Sequence, residues 1–197
     1  MMRFLVIALV CSAVLSVLTP ASFGQTPPPV AQQPTWAVGD TWTYAGADGV
    51  PFTLTVRGVT PRQYSVESKT GANVRVVQVD LNLSLNAFST FEWPLQLQKR
   101  WSSNSRAPRG ITGTETDDYT TTSTVDAFGP VTVPAGTFPA FQIKGRQCNI
   151  TKKSCGDFVI WYAAQAKTYV KISWASAGYW GGLLSGKSTE LVSYKVR

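Results

Sequence analysis

The stretch F-G-P-V-T-V-P-A-G-T-F-P-A-F, from Phe128 to Phe141, carries the strongest local structure signals in the chain. The segment Val131–Val133 alternates apolar and polar residues, which is typical of a short strand with one buried face. Pro134-Ala135-Gly136 then predicts a turn, because proline fixes φ and glycine accepts backbone angles that other residues avoid. The alternation resumes from Phe141 to Ile143. The stretch therefore predicts two strands joined by a stiff corner, and it explains shape rather than chemistry.

Strand patterns continue on both sides of this corner. Candidate strands are Thr41–Tyr44, Phe52–Arg57, Tyr64–Val66, Val77–Asn86, Trp93–Gln98, Phe158–Tyr162, Val170–Trp174 and Val192–Val196. Val76 beside Val77 indicates a bulge or a strand that faces core on both sides. The continuously apolar run Phe158–Tyr162 is typical of a central strand, whereas the threonine-rich run Thr114–Val125 predicts an exposed one.

The fold class follows from these patterns. No segment sustains the apolar spacing and end caps of a helix, and turn signals recur every eight to twelve residues. Short strands at this spacing favour an antiparallel sandwich or barrel, and sequential strands usually pair with each other. We therefore predict an all-β antiparallel meander of roughly ten strands, forming a half-open or flattened barrel, with a β-sandwich as the alternative.

Met1 to Gly24 (residues 1–24) predicts a cleaved secretory signal peptide. Arg3 precedes an uncharged apolar run, Phe4–Leu18, and small residues stand before Gln25. A transmembrane anchor is the alternative, but the run is shorter than the roughly 20 residues that a spanning helix needs. We expect cleavage before Gln25, with a site near Ala21 as the second choice. No transmembrane anchor is then expected in the mature chain, which would be periplasmic or secreted.

A proline-rich linker over residues 25–35 and one all-β domain over residues 36–197 complete the predicted organisation. Loss of Arg3 with the signal leaves 17 basic and 11 acidic residues, a net charge of +6. The basic residues are scattered, and no run exceeds two. Nucleic-acid binding needs a concentrated basic patch or a known module, so it is not expected.

Two cysteines remain in the mature chain, Cys148 and Cys155, separated by the polar segment N-I-T-K-K-S. An oxidising compartment would let them form a disulfide that closes a loop between two strands. A metal or redox pair is the alternative. It is disfavoured because the chain has no C-x-x-C and no histidine, so the usual mixed zinc ligand sets are missing. No metal and no cofactor are expected.

Catalytic motifs are scarce. The lack of histidine excludes Ser-His-Asp and Cys-His machinery, and no S-x-x-K occurs. Gly181–Ser188 matches the phosphate-binding pattern G-x-x-x-x-G-K-[ST], but only nine residues follow it and they alternate as a strand. A nucleotide site needs a helix there, so nucleotide binding is not expected. The acidic cluster Glu115, Asp117 and Asp118 could hydrolyse glycosides in principle, but we interpret it as a solvated edge.

Aromatic residues are the remaining lead to a function. Core packing is the first expectation for the seven tryptophans, and it applies best to Trp161 and Trp174 inside strong strand patterns. Four aromatic residues near predicted loops could instead form a rim that holds a lipid, a glycan or a peptide. These candidate ligand-binding residues are Trp93, Trp101, Tyr179 and Trp180.

The chain resembles a family of uncharacterised bacterial exported proteins, known mainly as a domain of unknown function. The resemblance is carried by W-x-V-G-D-T-W-T-Y (Trp36–Tyr44), F-E-W-P-L-Q (Phe91–Gln96) with K-R-W (Lys99–Trp101), V-T-V-P-A-G-T-F (Val131–Phe138), I-W-Y-A (Ile160–Ala163), Y-V-K (Tyr169–Lys171) and E-L-V-S-Y (Glu190–Tyr194). It covers nearly the whole mature domain and implies an all-β, barrel-like fold and a periplasmic or surface location. It carries over no catalytic residue. The chain departs from the family pattern at Ala163-Ala164, where such proteins often have alanine and proline.

Two classes of function follow as hypotheses. The first is a non-catalytic envelope protein that binds an apolar or amphipathic ligand, or an envelope partner, across its sheet. The second is a carboxylate-dependent hydrolase of unspecified substrate. A purely structural or interaction role is not separable from the first by sequence.

Overall fold

The computed structural model describes residues 29–47, 49–80, 91–108, 116–174 and 188–197. These residues form twelve strands and a short 3-10 helix, Ala164–Ala166. The strands are β1 (Val30–Ala31), β2 (Thr41–Ala45), β3 (Pro51–Val59), β4 (Gln63–Thr70), β5 (Asn73–Asp80), β6 (Leu95–Gln96), β7 (Arg100–Pro108), β8 (Thr116–Val133), β9 (Gly136–Asn149), β10 (Ser154–Ala163), β11 (Thr168–Trp174) and β12 (Ser188–Lys195).

Ten of these strands form one antiparallel sheet in the order β5-β4-β3-β2-β12-β11-β10-β9-β8-β7. Two meanders, β2–β5 and β7–β12, meet where β12 pairs with β2. The predicted all-β antiparallel fold is confirmed. Within the described residues the sheet stays open, with β5 and β7 as its edges, so it does not close into a barrel.

One face of the sheet, here called the core face, buries most of the apolar side chains. Its centre includes Trp42, Val56, Ile160 and Leu191, all at most 1% exposed. Segments outside the large sheet contribute residues to the same core: Trp36 contacts Trp42 and Tyr64, and Phe91 and Trp93 pack edge-on against Tyr162. The opposite face, here called the outer face, carries cross-strand ion pairs such as Arg57–Glu67.

The domain begins earlier than the sequence predicts. Val30 and Ala31, inside the predicted linker, form β1 and pair with Gln96 and Leu95 of β6. Ala31 and Leu95 are buried in the main core. The folded part therefore includes Val30, and the expectation of a start near Trp36 is corrected on this point.

The hairpin at Phe128–Phe141 has the predicted strand, turn and return strand, and the sheet positions its tip. β8 ends at Val133 and β9 begins at Gly136, whose φ of 129° only glycine adopts readily. The Ala135 amide donates to the Leu191 carbonyl of β12, and Phe138 contacts Tyr194. The corner thus ties the far end of the β8–β9 hairpin to the strand at which the two meanders meet.

Two strand predictions are wrong about burial. The threonine-rich run is exposed on one face only, because β8 is an internal strand between β7 and β9 and buries Tyr119 and Thr121 on the other. Val76 and Val77 mark neither a bulge nor a doubly buried strand, since β5 pairs with β4 in unbroken register. Both valines are exposed because β5 is an edge strand.

Several predicted features fall on residues that the structure does not describe. These are the signal peptide (residues 1–24), Glu115, the second half of the predicted strand Val77–Asn86, and most of the Gly181–Ser188 motif. Ser188 itself is described and begins β12. No helix among the described residues is both long and apolar enough to cross a membrane.

Candidate ligand-binding site

Side chains on the core face of β7–β11 are arranged in rows across the strands, and successive rows change in polarity. The register places Val125, Ile143, Ile160 and Ile172 side by side on β8–β11, and we call these four the isoleucine row. All four are buried. This row gives the centre of the face a wholly apolar surface.

The next row, two residues further along each strand, is here called the serine row. It comprises Trp101 on β7, Ser123 on β8, Gly145 on β9, Phe158 on β10 and Trp174 on β11. Ser123 is 3% exposed, and among the described residues its hydroxyl oxygen has no hydrogen-bond partner. A side chain on Gly145 would overlap the Phe158 ring, so this ring covers the glycine beside Ser123.

Beyond the serine row the buried side chains are mostly polar, with Tyr119 among them. Thr121, Gln147, Asn149 and Asp117 are all buried, and we call these four the polar end. The Gln147 amide donates to Thr121 at 3.3 Å, and the Asn149 amide donates to Asp117 at 3.0 Å. Lys152 forms an ion pair with Asp117 at 3.5 Å, and its backbone amide donates to Asn149. The charge on Asp117 is therefore balanced and hydrogen-bonded inside the fold.

Cys148 and Cys155 form the predicted disulfide. They are direct partners in the β9–β10 register and alternate with the core-face residues Gln147 and Gly156 on these strands. The disulfide closes the turn that carries Lys152 toward Asp117. Its formation indicates an oxidising compartment, in agreement with the predicted location in the periplasm or outside the cell.

The four aromatic candidates do not form one rim in the described part of the chain. Trp101 is buried in the serine row, and Trp93 is half-buried against Phe91 and Tyr162. Tyr179 and Trp180 lie outside the described residues, in the connection between β11 and β12. The structure thus brings Trp101 next to Ser123 but leaves Trp93 in a separate aromatic cluster.

Trp161 and Trp174 are both half-buried against the core. Trp161 lies on the outer face, where its ring is 5.7 Å from the Lys171 ammonium. The ring centroids of Trp174 and Phe158 are 5.7 Å apart, and Trp174 is the last residue of the serine row. The two tryptophans therefore belong to opposite faces, and Trp174 is the one near the candidate site.

Asp117 and Asp118, the two described members of the acidic cluster, do not lie side by side as a carboxylate pair. Asp117 and Asp118 are neighbours on β8, so their side chains point to opposite faces. Asp117 is fully buried, whereas Asp118 is exposed and pairs with Arg106 at 2.7 Å. The hydrogen bond from Arg106 lowers the pKa of Asp118. The solvated-edge interpretation thus holds for Asp118 and is wrong for Asp117.

Buried tyrosines do not supply a general base. Burial raises the pKa of Tyr44, Tyr162 and Tyr169 above the ordinary value of 10.0. These phenols stay protonated at neutral pH and can only donate or accept hydrogen bonds. No group of three metal-ligating side chains occurs within the described ranges.

Sequence reasoning missed Ser123, Gly145 and the polar end. A partial signal was present in two paired segments, because Asp117, Thr121 and Ser123 share one strand face in the first and Gln147 and Asn149 share it in the second. Each segment alone resembles a strand with a solvated face. Their burial follows only from their pairing within the sheet.

No protein-family model matches the chain, and no curated protein sequence matches it. Solved structures do resemble it. A proposed lipoprotein from Parabacteroides distasonis aligns with a TM-score of 0.50 and 13% identity, over 84% of this chain and 99% of that one. The chain shares the fold of this protein.

Two further structures align less closely. One is a proposed exported protein with a YmcC-like fold from Bacteroides fragilis, with a TM-score of 0.47 and 14% identity over 84% of this chain and 99% of that one. The other is the hypothetical lipoprotein YmcC of Escherichia coli, with a TM-score of 0.44 and 10% identity over 79% and 82%. The likeness to the Parabacteroides distasonis protein confirms, at the level of fold, the resemblance to bacterial exported all-β proteins.

Proposed function

We propose that this chain is an exported envelope protein that binds an amphipathic ligand, without catalysis, on the core face of β7–β11. The observation that carries the proposal is the change of polarity from row to row. The isoleucine row is apolar, the serine row is aromatic with one unpaired hydroxyl, and the polar end holds a buried carboxylate. Rows two residues apart on a strand are separated by roughly 7 Å. Such a face matches a molecule with an apolar part and a polar part.

The side chains available at this face support binding rather than catalysis. A carboxylate-dependent hydrolysis needs two carboxyl groups flanking one bond, whereas Asp117 and Asp118 lie on opposite faces of β8. The carboxylate of Asp117 is engaged by Asn149 and Lys152. The chain also has no histidine to act as a general base near neutral pH.

The disulfide and the similar structures support the envelope location. A disulfide of this kind persists outside the reducing cytosol. The three similar structures are described as exported proteins or lipoproteins. Lipids and lipid-linked glycans of the envelope are the amphipathic molecules that a protein meets there, and they are the ligand class that we propose.

Native mass spectrometry of the protein purified from its own envelope tests the proposal. We expect a non-covalent adduct that disappears on denaturation. Replacing Thr121 with valine keeps the side-chain volume but removes a hydroxyl from the polar end, so it should reduce the adduct. Thr122→Val, on the exposed outer face of the same strand, is the matched control and should leave it unchanged. A ligand-free wild-type protein from gentle extraction would refute the proposed function.

A further inference from the structure

The Ser123 hydroxyl is the one feature of the candidate site that folding alone does not explain. A buried polar group normally has a hydrogen-bond partner, because burial without one is unfavourable. Buried Asn149 and Gln147 nearby both have partners, and so does Thr121. In the described part of the chain the Ser123 oxygen has none, although only 3% of the residue is exposed. The position therefore offers a donor to a molecule that the free protein does not contain.

The position of Ser123 indicates which kind of atom it would contact. On one side its strand continues to Val125 in the isoleucine row, and on the other to Thr121 in the polar end. In a single-chain acyl lipid, the carbonyl oxygen lies at this same boundary, between the hydrocarbon chain and the polar headgroup. A carbonyl accepts the hydrogen bond that a serine hydroxyl donates.

The residues beside Ser123 favour an acyl chain over a sugar. Its register partners are Trp101 and Gly145, and Phe158 covers the glycine. Two aromatic rings therefore flank a single hydroxyl. A sugar ring presents several hydroxyls that each need a partner when buried, whereas an acyl ester buries only its carbonyl and needs a single donor.

The Phe158 ring is the side chain that such a ligand would displace. It occupies the space that a side chain of residue 145 would fill. Its ring centroid lies 5.7 Å from that of Trp174. Because Gly145 has no side chain, movement of this ring would uncover the backbone of that one residue directly beside Ser123.

We propose that Ser123 donates a hydrogen bond to the carbonyl oxygen of a single-chain acyl lipid, with the chain on the isoleucine row and the headgroup at the polar end. This rests on the binding function proposed above and names its ligand class. Two sources share the chemistry, a free fatty acid and a monoacyl lipid.

A comparison of two probes tests the contact. The delipidated full-length mature protein is titrated with 1-myristoyl-lysophosphatidylethanolamine and with its 1-O-tetradecyl ether analogue, which has the same headgroup but no carbonyl. Binding is followed by tryptophan fluorescence. Wild-type protein should bind the acyl probe about tenfold more tightly than the ether probe, as expected for one hydrogen bond. Myristic acid is titrated in parallel, and tighter binding of the acid than of the lysolipid would identify the free acid as the ligand.

Ser123→Ala should lose this preference and bind both probes equally. Ser102→Ala, the same substitution on an exposed residue beside Trp101, should retain the wild-type ratio. Ser123→Ala should also melt at a higher temperature than wild type without ligand, because it removes an unpaired buried hydroxyl.

The outcomes separate the two proposals. Wild-type protein that binds both probes with equal affinity would overturn the Ser123 contact and leave the binding function standing. Wild-type protein that binds neither probe nor any envelope ligand would overturn both. A glycan recovered from the native protein in place of an acyl lipid would also overturn the ligand class. The acyl-to-ether ratio of the wild-type protein decides the contact even if the serine variant fails to fold.

Discussion

Two buried polar regions of the same sheet differ in how completely they are satisfied. Asp40, immediately before β2, is fully buried and accepts hydrogen bonds from the backbone amides of Ala37 and Arg197, both at 2.9 Å. Lys167 pairs with it at 3.6 Å. Ser123, on β8, is equally buried, and no described residue bonds its hydroxyl. The difference separates two kinds of buried polar side chain: Asp40 is fully bonded within the fold, whereas Ser123 is not, and we therefore propose a ligand contact only for Ser123.

The role of the Asp40 region follows from what it connects. Lys167 also donates to the carbonyls of Thr35 and Arg197, and Trp42 donates to the Ala166 carbonyl at 2.7 Å. These contacts join the N-terminal meander to the 3-10 helix and to the residues after β12. The junction between the two meanders is thus fixed by a closed hydrogen-bond network.

Replacement of Asp40 should have the largest effect. Asp40→Ala leaves two backbone amides without their acceptor and the Lys167 ammonium without its carboxylate, and breaking a buried charged pair costs about 3 kcal/mol or more. Urea denaturation would measure the loss. Asp126→Ala is the control, since its pair with Lys144 is exposed and should contribute less than about 1 kcal/mol. Equal losses in the two variants would remove the contrast on which the comparison depends.

Removal of the disulfide should cause the second-largest loss of stability, and it should act on the polar end. Cys148→Ser with Cys155→Ser frees the turn that brings Lys152 to Asp117, and a cross-link of this short loop contributes about 2 kcal/mol. The variant should match the reduced wild-type protein in urea denaturation. Rapid alkylation of both cysteines in unreduced, denatured protein would show that the bond is absent.

A side chain at Gly145 should disturb the serine row alone. Gly145→Ala forces the Phe158 ring out of its position, and overpacking of this kind costs about 1–3 kcal/mol. Gly129→Ala is the control, because a Cβ there would meet no atom within 4 Å. The cost of Gly145→Ala should fall in a Phe158→Ala background, as thermal denaturation of the four variants would reveal. If Gly145→Ala destabilised the Phe158→Ala protein as much as the wild type, overlap with the Phe158 ring would not be the cause of the destabilisation.

The smallest expected effect is a pH dependence of stability that arises from an ion pair between the paired strands β11 and β12. Lys171 lies 2.7 Å from Glu190, and its hydrogen bond lowers the pKa of Glu190 from the ordinary value of 4.5. A lowered folded-state pKa stabilises the protein above the unfolded pKa, and this contribution is lost as the pH falls through 4.5 and below. Lys171→Met should therefore lose less than about 1 kcal/mol near pH 7, and the difference from wild type should shrink in acid.

Lys195→Met, which removes the same charge from an exposed position on β12, is the matched control for this pH dependence. The free energy of unfolding of Lys195→Met should differ from that of wild type by nearly the same amount at neutral and acid pH. For Lys171→Met this difference should change more with pH. A pH-independent difference for Lys171→Met in urea denaturation would show that the ion pair does not link stability to pH.

The sequence predicted the local parts of this fold well. The corner at Phe128–Phe141 was predictable because proline and glycine act on the backbone over a few residues. The disulfide was predictable from two cysteines in an exported chain. The pairing of β12 with β2 was not, because it joins segments nearly 150 residues apart through the Asp40 network.

The candidate site was the least predictable part. Asp117, Thr121 and Ser123 are polar at positions that the sheet buries, and a polar alternation in a single sequence indicates a solvated face. Gly145 gave no signal because its importance lies in the Phe158 ring that covers it. Trp101 was predicted as part of an open rim, whereas in the structure it is buried and begins the serine row. Its role in ligand binding remains a prediction.

Hydrogen–deuterium exchange with and without 1-myristoyl-lysophosphatidylethanolamine tests the central claim most directly. If the Ser123 side binds the ligand and the Asp40 side is architectural, the ligand should slow exchange in residues 119–125 and 143–149 and leave residues 36–44 unchanged. Equal slowing in residues 36–44, or slowing confined to them, would contradict the division of the two buried polar regions into a structural one and a binding one.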